Sequence, residues 1–149
     1  MRIGVTGSRR TPPPAQLLTF GRVLVDLQGL GAWELRHGAC VGADEQMSSR
    51  AAASGLWTVA HPPSNGALLS SRALDVSDEV EDPQPYLVRN RSIVDAVDVL
   101  VALPRTAEEE RRSGTWSTVR YATSRGVPVV LVLPDGSVDD HRGVLAVGG

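Results

Sequence analysis

Lysine is absent, and all 15 basic residues are arginine. A phosphate loop built on its lysine, a Schiff base to pyridoxal phosphate and a lysine general base are therefore excluded by inventory. Cysteine occurs once, at Cys40, which rules out an intrachain disulfide and a cysteine-rich zinc site. His37, His61 and His141 stand far apart and form no H-E-x-x-H pattern, so neither a metal nor a cofactor is expected. Aromatic residues make up only 4% of the chain and the formal net charge is −2, which gives no global attraction to a polyanion, although a local arginine cluster can still bind phosphate. Long apolar runs are missing too. The longest, near Val127 to Leu133, is far too short to cross a bilayer, and the N-terminus shows no charged-then-apolar leader. A soluble, cytoplasmic protein with no membrane partner is expected.

What is present is one domain's worth of chain, 149 residues with 42% hydrophobic content. Short apolar runs alternate with small-residue loops and stretches of helical spacing, the pattern of repeated βαβ units. Arg2 to Thr6 reads as the first strand. Leu17, Phe20, Leu24 and Leu27 share a helical face, opened by Pro12 to Pro14 and closed by Gly29 and Gly31. Trp33 to His37 and Leu56 to His61 read as strands around a helix from Ala43 to Ser54. Ser64 to Pro85, rich in turn formers, reads as a long functional or mobile connection. A helix over Tyr86 to Ala96, a strand over Val97 to Leu103, a charged loop from Arg105 to Ser113, a helix from Gly114 to Arg125 and a strand over Val127 to Leu133 follow. Residues 134–149 read as a loosely packed tail.

Near-continuously apolar strands imply burial on both faces. The expected fold is α/β: a Rossmann-like three-layer sandwich with a mainly parallel five-stranded sheet in the order 3-2-1-4-5. Ligands of such sheets bind where the strand order reverses, here beside the loops after the first and fourth strands.

Four segments supply groups suited to an anion. Gly7, Ser8 and Arg9 follow the first strand, offering backbone N–H groups, a hydroxyl and a planar guanidinium fork. Gly38 and Gly42 flank the second loop and permit close approach to backbone. Asp44 after them suits a helix cap, its commoner use, or a ribose hydroxyl. Arg89 and Asn90 lie on a helix whose apolar side docks on the sheet. Ser113, Gly114, Thr115, Trp116 and Ser117 enter the last crossover helix, whose free N–H groups carry the positive end of the helix dipole. Its hydroxyls equally suit an ordinary N-cap, so position at the switch point is what favours a phosphate.

In this order and spacing, Gly7-Ser8-Arg9, His37-Gly38-x-x-x-Gly42-Ala43-Asp44, Arg89-Asn90-x-x-Ile93-Val94 with Asp98, and Ser113-Gly114-Thr115 resemble the SLOG superfamily. That group includes DNA-processing protein A and the "lonely guy" phosphoribohydrolases, and the similarity, greatest to the YpsA-related branch, covers roughly residues 1–133. The resemblance implies a nucleotide or nucleotide-derived ligand with its phosphate at the Gly114 helix terminus, and a homo-oligomer paired through crossover helices. In the phosphoribohydrolases the phosphate loop reads G-G-x-G-T-x-x-E, and its glutamate with an upstream arginine assists cleavage of an N-glycosidic bond. Gly114, Thr115 and Arg89 match that pattern, but Thr118 stands in the glutamate position and Arg111, Arg112 and Ser113 replace the leading glycines.

Losing that carboxylate removes the group that would stabilise positive charge on the ribose. The preferred expectation is therefore binding or sensing of a phosphorylated nucleoside. The alternative is an N-glycosidic hydrolase or transferase using Asp44, Asp98 or one of Glu108 to Glu110. Single-stranded DNA binding ranks third, because it needs a basic groove and aromatic platforms. A nucleic-acid partner is thus not expected.

Overall fold

The computed structural model describes residues 1–146. β1 (Arg2–Gly7), β2 (Glu34–His37) and β3 (Trp57–Ala60) pair in parallel on one side of the sheet, while β5 (Val99–Leu103) and β6 (Val129–Val132) continue it beyond β1. The helices between them are α1 (Pro14–Gly29), α2 (Ala43–Ala53), α3 (Ser71–Asp75), α4 (Tyr86–Asp95) and α5 (Gly114–Ser124). The expected order 3-2-1-4-5 is thus the central run β3-β2-β1-β5-β6.

The sheet has seven strands, however, and not five, because β4 (Glu79–Val80) and β7 (Val138–Asp139) extend its two edges. Each is two exposed residues long, so neither carries the apolar run by which a buried strand is recognised. β4 runs parallel to β3 and β7 antiparallel to β6.

The connection over 64–85 is also built rather than open. It holds a 3-10 turn at Gly66–Leu68, then α3 and β4. It also bonds to the second loop, through Val41 N–H to the Leu68 carbonyl at 3.0 Å and Ser70 N–H to the Ala39 carbonyl at 2.8 Å. Beyond Pro134 the chain turns back as a hairpin, held by Leu133 N–H to the Ser137 carbonyl at 2.9 Å and by Thr19 Oγ1 to the Gly136 carbonyl at 2.7 Å. Val144 and Leu145 pack on the core, so residues 134–146 are not the loose tail expected. The terminal Gly148 and Gly149 lie outside the described residues.

Alternation along β5 shows how the layers arise. Val99, Val101 and Leu103 join Ile3, Val5 and Leu35 in a core with Phe20, Leu24 and Leu27 of α1 and Met47 of α2. Leu100 and Ala102 point the other way, into a second core with Val94 of α4 and Trp116, Val119 and Ala122 of α5. Full burial of a side chain such as Phe20 stabilises the fold by about 1.5–3 kcal/mol. Gln16 ties α1 to the sheet's carboxyl edge. Its buried amide donates to the carbonyls of Pro104 at 2.9 Å and Val132 at 2.7 Å.

Register places the switch point. Gly7 at the end of β1 sits beside Leu103 at the end of β5, so the loops that leave these strands emerge together. No helix among the described residues is long and apolar enough to cross a membrane.

Candidate functional site

Above that switch point lies a cleft of about 700 Å³. It is lined by Gly7, Ser8, Arg9 and Arg10 on one wall, by Arg105, Glu110, Arg111, Arg112, Ser113, Gly114 and Thr115 on the other, and by Tyr86. The two segments on which an anion site depends, the β1 turn and the start of α5, therefore face one another across it.

At the α5 terminus the hydroxyl of Ser113 accepts the Trp116 N–H at 3.3 Å, so Ser113 is an N-cap, as its residue type allows. Ser117 N–H bonds within the helix, to the Ser113 carbonyl at 2.9 Å. Among the described residues the amides of Gly114 and Thr115 then remain without a protein acceptor, and they are the two groups left for an anion. Trp116 and Ser117, expected at the site, do not line the cleft. Trp116 is buried in the second core, and Ser117 opens on a separate groove of about 310 Å³ between α4 and α5. The Ser8 hydroxyl is likewise used locally, accepting the Arg10 N–H at 3.0 Å and so fixing the turn that presents Arg9.

Each of the four glycines at the site is required by another part of the protein. A Cβ on Gly7 would overlap that of Ala43, and one on Gly38 would meet the Arg89 guanidinium. At Gly114 it would meet the Tyr86 hydroxyl. Gly42, at φ 93°, lies against the backbone of Arg9, and Ser8 accepts the Ala43 N–H at 2.9 Å. The close approach expected of a ligand is made by the chain itself.

Gly38, Asp44, Arg89 and Asn90 form a second, inner group around a cavity of about 20 Å³, roughly one water in size. Gly7, Arg9 and Tyr86 border both spaces, and two guanidiniums lie over the Tyr86 ring, that of Arg9 at 5.4 Å and that of Arg89 at 5.3 Å from its centroid. Arg89 is 2% exposed, and each of its three guanidinium nitrogens is hydrogen-bonded. It donates to the carbonyls of Gly38 and of His61 (3.0 Å), to Asn90 Oδ1 (2.7 Å), and to Cys40 Sγ at 3.5 Å. Asp44 is not a helix cap, since Gly42 takes that place. Its buried carboxylate accepts the Cys40 N–H at 3.1 Å. Burial raises its pKa to about 6, although the Arg89 charge pulls it down.

The two histidines behind this group are neutral. Burial, with smaller repulsion from His61 and Arg89, lowers His37 to about 3. Ser77 donates to the Ala73 carbonyl at 2.7 Å, so His37 Nε2 donates to Ser77 Oγ, while His37 Nδ1 accepts the Ala39 N–H at 3.1 Å. His61 is lowered to about 4 by burial, then by Arg36 and Arg89.

Carboxylates are scarce where chemistry on a ligand would need them. Glu110 is the only one lining the outer cleft. It is held in two hydrogen bonds by Arg105, at 2.8 and 3.0 Å, which keep it below the usual carboxylate range. Glu109 pairs with Arg120 at 3.0 Å, and Asp98 bonds the Arg2 amide at 2.7 Å, at the opposite end of the sheet. The Thr118 hydroxyl, where the phosphoribohydrolases have glutamate, donates to the Gly114 carbonyl at 2.9 Å. Tyr86 was invisible as a site residue in the sequence. Its position just after Pro85, at the start of the helix carrying Arg89, was the available signal. Among the described residues no three of His, Cys, Asp and Glu gather as a metal site.

No family model and no curated protein matches the chain. Solved structures do. Over 89% of this chain and 76% of the other, it is similar to the molybdenum cofactor binding protein of the phototrophic bacterium Rippkaea orientalis, at 28% identity and a TM-score of 0.68. The molybdenum cofactor carrier protein of Chlamydomonas reinhardtii aligns at 22% identity and a TM-score of 0.62, over 87% and 74% of the two chains. DNA processing protein A of Streptococcus pneumoniae aligns at 21% and 0.66, over 87% of this chain and 49% of that one. These are SLOG-type folds, and the chain shares that fold.

Proposed function

We propose that this SLOG-type chain binds a small phosphorylated heterocycle, a nucleotide or nucleotide-derived molecule, at the carboxyl edge of its sheet. One observation carries the reading. Gly114 and Thr115, whose amides have no partner among the described residues, line the same cleft as Arg9, which supports a phosphate held by the helix dipole, those amides and the guanidinium fork. The likeness to proteins that bind or carry a molybdenum cofactor supports a small-molecule ligand.

Binding is favoured over cleavage by the carboxylates. Glu110 is neutralised by Arg105, and Asp44 is buried at the inner cavity near Arg89, leaving no free acid in the outer cleft. A strand of DNA is disfavoured because Tyr86 is the sole aromatic lining the cleft and its ring already carries two arginines. In this reading the chain acts as one cytoplasmic domain. It pairs as a homodimer, a mass that light scattering would read.

Titration calorimetry with nucleoside monophosphates and the matching nucleosides tests the proposal. Saturable binding is expected from AMP or another monophosphate, with none from the nucleoside. Folded protein that ignores every phosphate-bearing compound would reject it, and chromatographic release of free base would move the reading to hydrolysis.

A further inference from the structure

The outer cleft holds more positive charge than one phosphate needs. Five arginines line it, and its single carboxylate, Glu110, is spent on Arg105. Among the described residues Arg9, Arg10, Arg111 and Arg112 have no carboxylate within ion-pair distance. They stand on both walls, in a chain whose net charge is −2. Four like charges around one space repel each other until an anion of comparable charge enters. The amides of Gly114 and Thr115 with Arg9 suffice for a single phosphate, which leaves Arg10, Arg111 and Arg112 unaccounted for.

A run of charges on a loop is usually a solvated, wandering face, but this loop is fastened. Arg120 of α5 donates to Glu109 Oε2 at 3.0 Å and to the Arg111 carbonyl at 3.2 Å. Within the loop, Arg105 and Thr106 both bond Glu110, Thr106 at 3.0 Å. The backbone that carries Arg111 and Arg112 is thereby held against the helix, and the two guanidiniums are presented from a fixed base. Such preorganisation lowers the ordering cost of binding.

We infer that the cleft takes a ligand with two or more linked phosphates, a nucleoside di- or triphosphate. Its first phosphate lies on the Gly114–Thr115 amides, and the following ones lie between Arg10 and the Arg111–Arg112 pair. This rests on the proposed function and narrows its ligand class. A volume of about 700 Å³ is within the range of pockets for molecules of this size.

The test is titration calorimetry of the full chain at fixed ionic strength, without added divalent metal, against AMP, ADP, ATP and pyrophosphate. It is run for the wild type and for an Arg111→Ala/Arg112→Ala variant. ADP and ATP should bind at least about tenfold more tightly than AMP, a gap of roughly 1.4 kcal/mol. Pyrophosphate should bind more weakly than ADP because it lacks the nucleoside, and pyrophosphate binding as tightly as ADP would overturn the nucleoside part of the inference. In the variant the preference should collapse to within about twofold, with AMP losing less affinity than ADP or ATP, and the fold should be unchanged because both substituted side chains are exposed and contribute to no core. Equal affinity for AMP and ADP, or a preference that survives the double substitution, overturns the inference while leaving the phosphate site standing. Failure of every compound to bind folded protein overturns both. A competition of ATP against a single-stranded oligonucleotide over a range of salt completes the test, and displacement of ATP with steep salt dependence overturns the inference in favour of a nucleic-acid strand.

Discussion

The hydroxyl of Tyr86 rests over the Cα of Gly114, so that any side chain at 114 would occupy the same space. The start of α4 and the start of α5 are thereby locked together at the mouth of the cleft, and the free amides of α5 are held at a fixed height above β1. Gly114→Ala should cost about 1–3 kcal/mol by overpacking and weaken phosphate binding. Adding Tyr86→Ala should restore much of the lost stability by removing the obstructing ring. Urea denaturation of both single variants and of the double variant checks this, and an additive loss in the double variant would contradict it.

Arg89 behaves as a pillar, not as a ligand-facing cation. Removing it strands the Gly38 and His61 carbonyls and leaves the buried Asp44 carboxylate without its neighbouring charge. Arg89→Ala should destabilise the fold by about 3–5 kcal/mol. Arg89→Lys should fall short of rescue, because an ammonium cannot reproduce the fork. Thermal and chemical denaturation give the comparison.

Stability should fall in acid through the buried histidines. His37 and His61 are lowered from 6.5 to about 3 and about 4, so between those values and 6.5 the unfolded chain binds more protons than the folded one. Their contribution is complete above 6.5 and is lost as pH drops toward 4 and then 3. Asp44, raised from 3.8 to about 6, acts in the opposite sense over part of that window, but it is one group with a smaller displacement than His37. The urea midpoint should therefore decline from pH 7 to pH 4.5, with a shallower slope in His37→Gln. A midpoint that rises on acidification would refute this assignment.

Trp116 belongs to the core, where its Nε1 is a buried donor without a partner. Trp116→Phe removes that unsatisfied donor but leaves space behind, so the stability change should stay under about 2 kcal/mol. Phosphate-ligand affinity should hold within about twofold, as calorimetry would show.

Much of this was legible from residue pattern. The apolar period of β1, β5 and β6 and the helical spacing of Leu17, Phe20, Leu24 and Leu27 gave the layers, and the switch point followed from strand order. The edge strands were not legible, since Glu79–Val80 and Val138–Asp139 are strands only because a neighbour's free edge pairs with them. At the site, the expected loops do meet in the fold, and several of their residues are used by the chain itself. Gly38 and Gly42 looked like room for a ligand, yet Arg89 and the Arg9 backbone fill those places. Such long-range neighbours leave no local signature. Nor does Tyr86, whose importance depends on Gly114, 28 positions away in the chain.

The most direct measurement is a titration of ¹⁵N-labelled protein with AMP, followed by amide chemical shifts. The largest changes should fall on Gly114 and Thr115, with smaller ones over Gly7 to Arg10. Shifts centred on the α4–α5 groove or the start of the sheet, with the Gly114 and Thr115 amides unmoved, would contradict the account.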